Sequence, residues 1–170
     1  ETRQYKISTI AVRPFSSLKP AERKLLEILL ACQPVRWQMS LKMTEEDFLG
    51  LRTEKLFHLI FEFERQQKEI SYPELSQRLD DEELASDLLP QLMITDADFK
   101  SSDQESLNQA EKEAEGSLHS LRCGKLAEKQ SALQSEINRA QRDNDTARLG
   151  ELIMLKLQLV KQLDLAQRNG

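Results

Sequence analysis

The sequence predicts an all-α protein: a compact helical bundle followed by a long helix and a C-terminal antiparallel helical hairpin. Three observations carry that expectation. Charged residues make up 31% of the 170-residue chain and aromatics only 5%, with five glycines and five prolines, a composition closer to helical proteins than to β-sandwiches or disordered tails. Apolar residues recur at spacings of three and four, the period of an amphipathic helix. From Ser102 to the C-terminus no proline occurs, so long helices can run unbroken there.

Taken in order, residues 1–18 mix Ser, Thr, Arg and Pro14 with isolated apolar side chains and read as a linker. Because the chain opens on Glu1 rather than Met, it reads as a piece of a longer protein. Pro20 suits the first turn of a helix, and Leu25, Leu26, Leu29 and Leu30 give that helix one apolar face, a pattern that ends before Pro34. Trp37 is placed on the following loop, as a lid over the core or alternatively as a binding anchor. Thr44 with Glu45, Glu46 and Asp47 supplies a cap and acids at a helix N-terminus, the cap alone stabilising by about 1 kcal/mol. Phe48 and Leu51 anchor that short turn. Residues 52–68 carry Leu56, Phe57, Leu59, Ile60, Phe61 and Phe63, apolar around so much of the circumference that this helix must cross the centre of the bundle.

Tyr72-Pro73 breaks the chain and opens a short helix that turns Leu75 and Leu79 inward. Asp80 or Asp81 caps the next helix, whose buried face is Leu84, Leu88, Leu89, Leu92 and Met93, and Pro90 predicts a kink or an end within it. Ser102 is positioned to cap the long helix, with Leu107, Ala110, Ala114, Leu118 and Leu121 as its thin stripe. Gly116 and Gly124 each cost about 1 kcal/mol relative to Ala in a helix interior and read as a hinge. They divide a bundle at 19–115 from a hairpin at 116–170 that pivots about them. Leu126, Leu133, Ile137 and Ala140 give a near-heptad seam, and Asp143-Asn144-Asp145 offers a left-handed terminator and a cap.

The closing helix, from about Thr146 to Gln167, carries more apolar surface than one packing partner can cover. At 100° per residue Leu149, Leu152, Ile153, Val160 and Leu163 share a stripe, with Leu157 on one flank and Leu155 and Leu159 on the other. Met154 and Leu165 lie nearly opposite. A two-helix hairpin buries the first set and leaves Met154, Leu155, Leu157, Leu159 and Leu165 facing outward, an arrangement that marks a binding surface. Arg148, Lys161 and Arg168 are the cations that would orient an approaching partner.

Charge follows the same division. Residues 1–115 hold 15 Lys and Arg against 23 Asp and Glu, whereas residues 116–170 hold 9 against 6. The bundle should repel nucleic acid; the hairpin is mildly basic but shows no dense cationic stripe. Cys32 and Cys123 are far apart and lack metal-ligand or redox spacing, which fits a reducing, cytoplasmic setting. No apolar run approaches the ~20 residues needed to cross a bilayer. His58, amid phenylalanines, reads as a partly buried packing residue, and neither it nor His119 shows a carboxylate or cysteine partner at ligand spacing. Contiguous acids at 80–83 read as a helix cap rather than a metal cluster. No phosphate loop, nucleophile elbow or dinucleotide fingerprint occurs, so neither catalysis nor a cofactor is expected.

The succession AERKLLEILLACQP, TEEDFLGLRTEKLFHLIFE, ISYPELSQRLDDEELASDLLPQL and a closing RDNDTARLGELIMLKLQLVKQLDL resembles the C-terminal helicase-binding domain of bacterial DnaG-type primases. The resemblance spans about residues 18 to 168. The first three blocks also resemble the N-terminal domain of DnaB-type replicative helicases, and the terminal hairpin favours the primase. The resemblance implies a non-catalytic domain whose hairpin clamps the N-terminal domains of the hexameric helicase, bringing RNA primer synthesis to the replication fork while the bundle modulates the helicase. The family's zinc module and acidic polymerase centre would lie upstream. Two other classes stay open from the residues alone: a single-stranded nucleic-acid-binding hairpin, and a homodimer built by pairing hairpins.

Overall fold

The computed structural model describes residues 18–94 and 103–168, all helix and connecting turns. The linker before Leu18 and the cap expected at Ser102 lie outside the described residues. The elements are α1 (Pro20–Ala31), α2 (Gln33–Lys42), α3 (Glu45–Phe48), α4 (Glu54–Arg65), α5 (Tyr72–Arg78), a π turn (Leu84–Leu88) continuing into α6 (Leu89–Ile94), α7 (Gln104–Arg142) and α8 (Thr146–Arg168). The all-α expectation holds for everything described.

Helix α1 ends at Ala31, before Pro34, as expected. Pro34 does not stop helical structure beyond it: it sits in the first turn of α2, which begins at Gln33, where a proline removes an N–H that has no intrahelical acceptor anyway. Trp37 therefore stands on a helix and not on a loop, and at 54% exposed it is no lid over the core. Helix α4 crosses the centre, with Leu56, Phe57, Leu59, Ile60 and Phe63 buried and Phe61 packed at the edge. Phe48 stacks on Phe57 at 5.4 Å between ring centroids. His58 departs from expectation: it is exposed, resting edge-on against Phe48 with Glu54 one turn back at 4.0 Å.

Around Pro90 the chain neither breaks nor simply kinks. Its missing N–H and ring bulk are accommodated by a wider turn just before it, where the Leu89 N–H reaches back five residues to the Leu84 carbonyl. The acid that caps this stretch is Asp81, accepting from the Leu84 N–H at 3.0 Å. Leu84, Leu88, Leu89 and Leu92 thereby face the core together with Leu75 and Leu79 of the α5 region.

Buried polar groups tie the short helices to one another. The Arg36 guanidinium donates to Glu64 at 2.7 Å and to the Leu29 carbonyl at 2.8 Å, and Gln33 donates to the other Glu64 oxygen at 2.8 Å. One carboxylate thus links α2 and α4, and the same arginine satisfies a carbonyl near the end of α1. On the opposite side Thr53 donates to buried Glu22.

Helix α7 is a single 39-residue element, about 58 Å long at 1.5 Å per residue. Asp103 caps it, accepting from the Ser106 N–H at 2.7 Å. Gly116 and Gly124 were expected to interrupt this helix, and they do not. Both keep helical backbone, and between them Ser117, Leu118 and Leu121 are buried against the bundle, offsetting the small propensity cost of each glycine. Packing against the bundle also continues past the boundary drawn at residue 115. Arg122 donates to Asp47 at 2.6 and 2.8 Å and to the Lys42 carbonyl at 3.1 Å. One turn further, Lys125 donates to the Glu46 and Leu49 carbonyls at 2.6 and 2.8 Å, and Lys19 pairs with Glu128. Beyond that point α7 projects with α8 as its packing partner.

Candidate partner-binding face

The hairpin turn folds as its residues dictate. Asn144 takes the left-handed conformation at φ +54°, and the Asp145 N–H returns to the Ala140 carbonyl at 3.0 Å, closing the end of α7. The Asp145 side chain then accepts from the Arg148 N–H at 3.0 Å and starts α8. Two helix ends are satisfied by three consecutive polar residues.

The seam between α7 and α8 is thin. Ile137, Ala140 and Leu152 form its buried centre, with Leu133 and Leu149 packed beside them. On α8 the residues turned to α7 are Leu149, Leu152, Lys156, Leu159, Leu163 and Ala166, a strict three-four alternation read directly from their partial or full burial. Lys156 interrupts the apolar seam and donates to Gln134 of α7. Away from the turn, the hairpin is therefore held by fewer apolar contacts than its leucine content suggests.

This register corrects the expected faces. Leu159 belongs to the seam and is half-buried, while Ile153 and Val160, expected inside, are exposed on the flank. A paired helix repeats every 3.5 residues, and counting at 100° per residue drifts from that by about 20° each heptad, so the seam follows the alternation of Leu149, Leu152, Lys156, Leu159 and Leu163 rather than the fixed stripe. Met154, Leu157 and Leu165 remain outward, at 61%, 55% and 59% exposed, and Leu155 is exposed on the other side. On a helical wheel Val160, Ile153, Leu157, Met154 and Leu165 share one broad face, adjoining the seam and turning away from α7, with Asp164, Lys161 and Arg168 set among them.

The three cations assigned to orientation fall into different settings. Arg148 is engaged inside the hairpin, bonded to Glu136 of α7 at 3.1 Å and to Glu151 at 3.2 Å, so it locks the two helices near the turn. Arg168 pairs with Asp164 at 2.9 Å. Lys161 has no ion-pair partner among the described residues and stands in the outward face. Arg139 likewise pairs with Asp143, so several of the hairpin's cations are engaged by acids of the hairpin itself.

The sequence reading missed a second set of contacts. His119 and Cys123 lie one turn apart on α7, with Nε2 and Sγ 3.5 Å from each other, and the i, i+4 spacing was the available signal. Among the described residues no group of three or more His, Cys, Asp or Glu side chains is arranged to hold a metal ion, and no helix is long and apolar enough to cross a membrane. Elsewhere, Trp37 and Leu41 of α2 border an open groove of about 880 Å³ between α2 and the chain following α4, floored by the Arg36–Glu64 pair. Comparisons with protein-family models, with curated proteins and with solved structures return no match for this chain.

Proposed function

We propose that this chain is the non-catalytic C-terminal domain of a DNA primase, and that its hairpin binds the N-terminal domains of a hexameric replicative helicase. The observation that carries the docking half of this reading is the uncovered apolar face of α8. Five large apolar side chains on one helix face are left in water by their own fold, at the end of an arm held away from the bundle. The identity of the partner comes from the resemblance of the four sequence blocks to the primase helicase-binding domain. In this reading the bundle is a rigid base and the hairpin a presenting element, with partner helices laid against Ile153, Met154, Leu157, Val160 and Leu165.

Magnitudes set the expected strength. Burying each of these side chains gains about 1.5–3 kcal/mol, and association costs about 4–15 kcal/mol of lost freedom, so a single arm binds modestly. Several arms on one ring would gain through effective concentration. Calorimetric titration of the chain into the DnaB-type helicase N-terminal domain should show binding that is weakened more than tenfold by Leu157→Glu, with the helical content of the variant unchanged. Equal affinity of the variant, or no binding by the parent chain, removes the proposal.

A further inference from the structure

Lys161 sits in the middle of the outward face of α8 rather than on its rim. On the wheel it falls between Leu157 on one side and Met154 and Leu165 on the other, and one turn away along the helix it has Leu157 and Leu165 as neighbours. The other cation of this face, Arg168, is already bonded to Asp164. A partner laid across the leucines would strip the Lys161 ammonium of water, which is costly without a counter-charge. We infer that the face is shaped for an amphipathic helix of another protein that carries a carboxylate among its apolar anchors, placed to meet Lys161. This inference rests on the docking proposal and names the chemistry of the partner surface.

A second copy centred on these apolar residues does not supply that chemistry. Antiparallel pairing about a twofold axis at Leu157 sets Lys161 against Ile153, and an axis at Leu159 sets it against Leu157. Parallel pairing places Lys161 against its own counterpart. The nearest acid on the face, Asp164, is taken by Arg168. An anionic lipid surface fits less well than a helix, because helices that lie on membranes keep their apolar face free of acids and here Asp164 lies between Ile153 and Leu157, inside that face.

The test is calorimetric titration of the chain into the DnaB-type helicase N-terminal domain, using Lys161→Ala, Lys161→Glu and Lys161→Arg at low and high salt. Lys161 is exposed and outside every buried cluster, so the variants keep the fold, as circular dichroism would verify. Lys161→Glu should weaken binding about tenfold or more, Lys161→Ala less, and Lys161→Arg should retain it. Affinity of the parent chain should fall with salt more steeply than that of Lys161→Ala. If Lys161→Glu binds like the parent while Leu157→Glu does not bind, the face is a docking site but no carboxylate meets Lys161, and only this inference fails. Absence of any binding by the parent chain overturns both readings, as does its capture by phosphatidylglycerol vesicles instead of the helicase domain. A doubled mass in light scattering that Leu157→Glu abolishes overturns the inference in favour of a second copy.

Discussion

Asp47 does two tasks with one carboxylate. It accepts the Thr44 N–H at 2.8 Å, capping α3, and receives two hydrogen bonds from Arg122 of α7, fixing the long helix to the bundle. Burial pushes its carboxyl up, but the Arg122 hydrogen bonds together with those from Thr44 outweigh it and hold the group below its ordinary value of 3.8. A carboxyl depressed in the folded state contributes stability that is present above its unfolded pKa and is lost as pH falls through the folded value. Asp47→Asn should therefore lower stability by about 2 kcal/mol near neutrality. Urea denaturation from pH 7 to pH 3 should show the gap between variant and parent closing below about pH 4; a gap independent of pH would contradict this linkage. Gly116 and Gly124 test the opposite kind of residue effect. A Cβ at either position meets nothing within 4 Å, and the backbone is already helical. Gly116→Ala and Gly124→Ala should each stabilise by about 0.5–1 kcal/mol, read as a higher Tm. A lower Tm would restore them as points where the helix needs to bend.

At the level of elements, α7 belongs to two environments. Its first half is one wall of the bundle, with Ala110, Ala114, Leu118 and Leu121 buried, and small side chains there let it lie close to its neighbours. Among the described residues its last turns pack against α8, through Ile137 and Ala140. Leu152, at 1% exposed, is the one α8 residue fully enclosed by that pairing among the described residues. Leu152→Ala should cost about 2–4 kcal/mol locally, since removing a buried leucine leaves a cavity that a two-helix seam can only partly collapse. Hydrogen exchange would report this as lost protection across 133–163 with protection in α1 and α4 unchanged. Uniform loss throughout the chain would show that hairpin and bundle unfold as one unit. The Lys156–Gln134 pair gives register at the expense of packing, as polar residues in helix seams do.

For the molecule as a whole, the buried residues fall into two separate clusters, a large one running from Leu25 to Leu121 and a small one around Ile137, Ala140 and Leu152. The large cluster, with its latch at Arg122 and Lys125, closes without any residue after 128. A fragment of residues 18–128 should consequently fold on its own, with a cooperative thermal transition within a few degrees of the full chain. A fragment without cooperative unfolding would mean that the hairpin supports the bundle. The small cluster alone is too thin for independent stability, so the arm depends on the continuity of α7 with the bundle for its shape.

Local residue chemistry determined much of this protein. Proline positions, Thr44 with its acids, Asp81, and the Asp143-Asn144-Asp145 turn each act within a few residues, so helix starts and stops, the central α4 and the hairpin were all legible. The outward set of Met154, Leu157 and Leu165 was legible too, because no single seam can cover opposite sides of a helix. Tertiary structure decided what depends on distant partners. Only packing could carry α7 unbroken through two glycines and choose between Leu159 and Ile153 for the seam. The physical reason is one of scale: a cap or a turn is settled by hydrogen bonds between near neighbours, whereas a glycine's tolerance and a helix's rotation are settled by the apolar surface that happens to lie opposite.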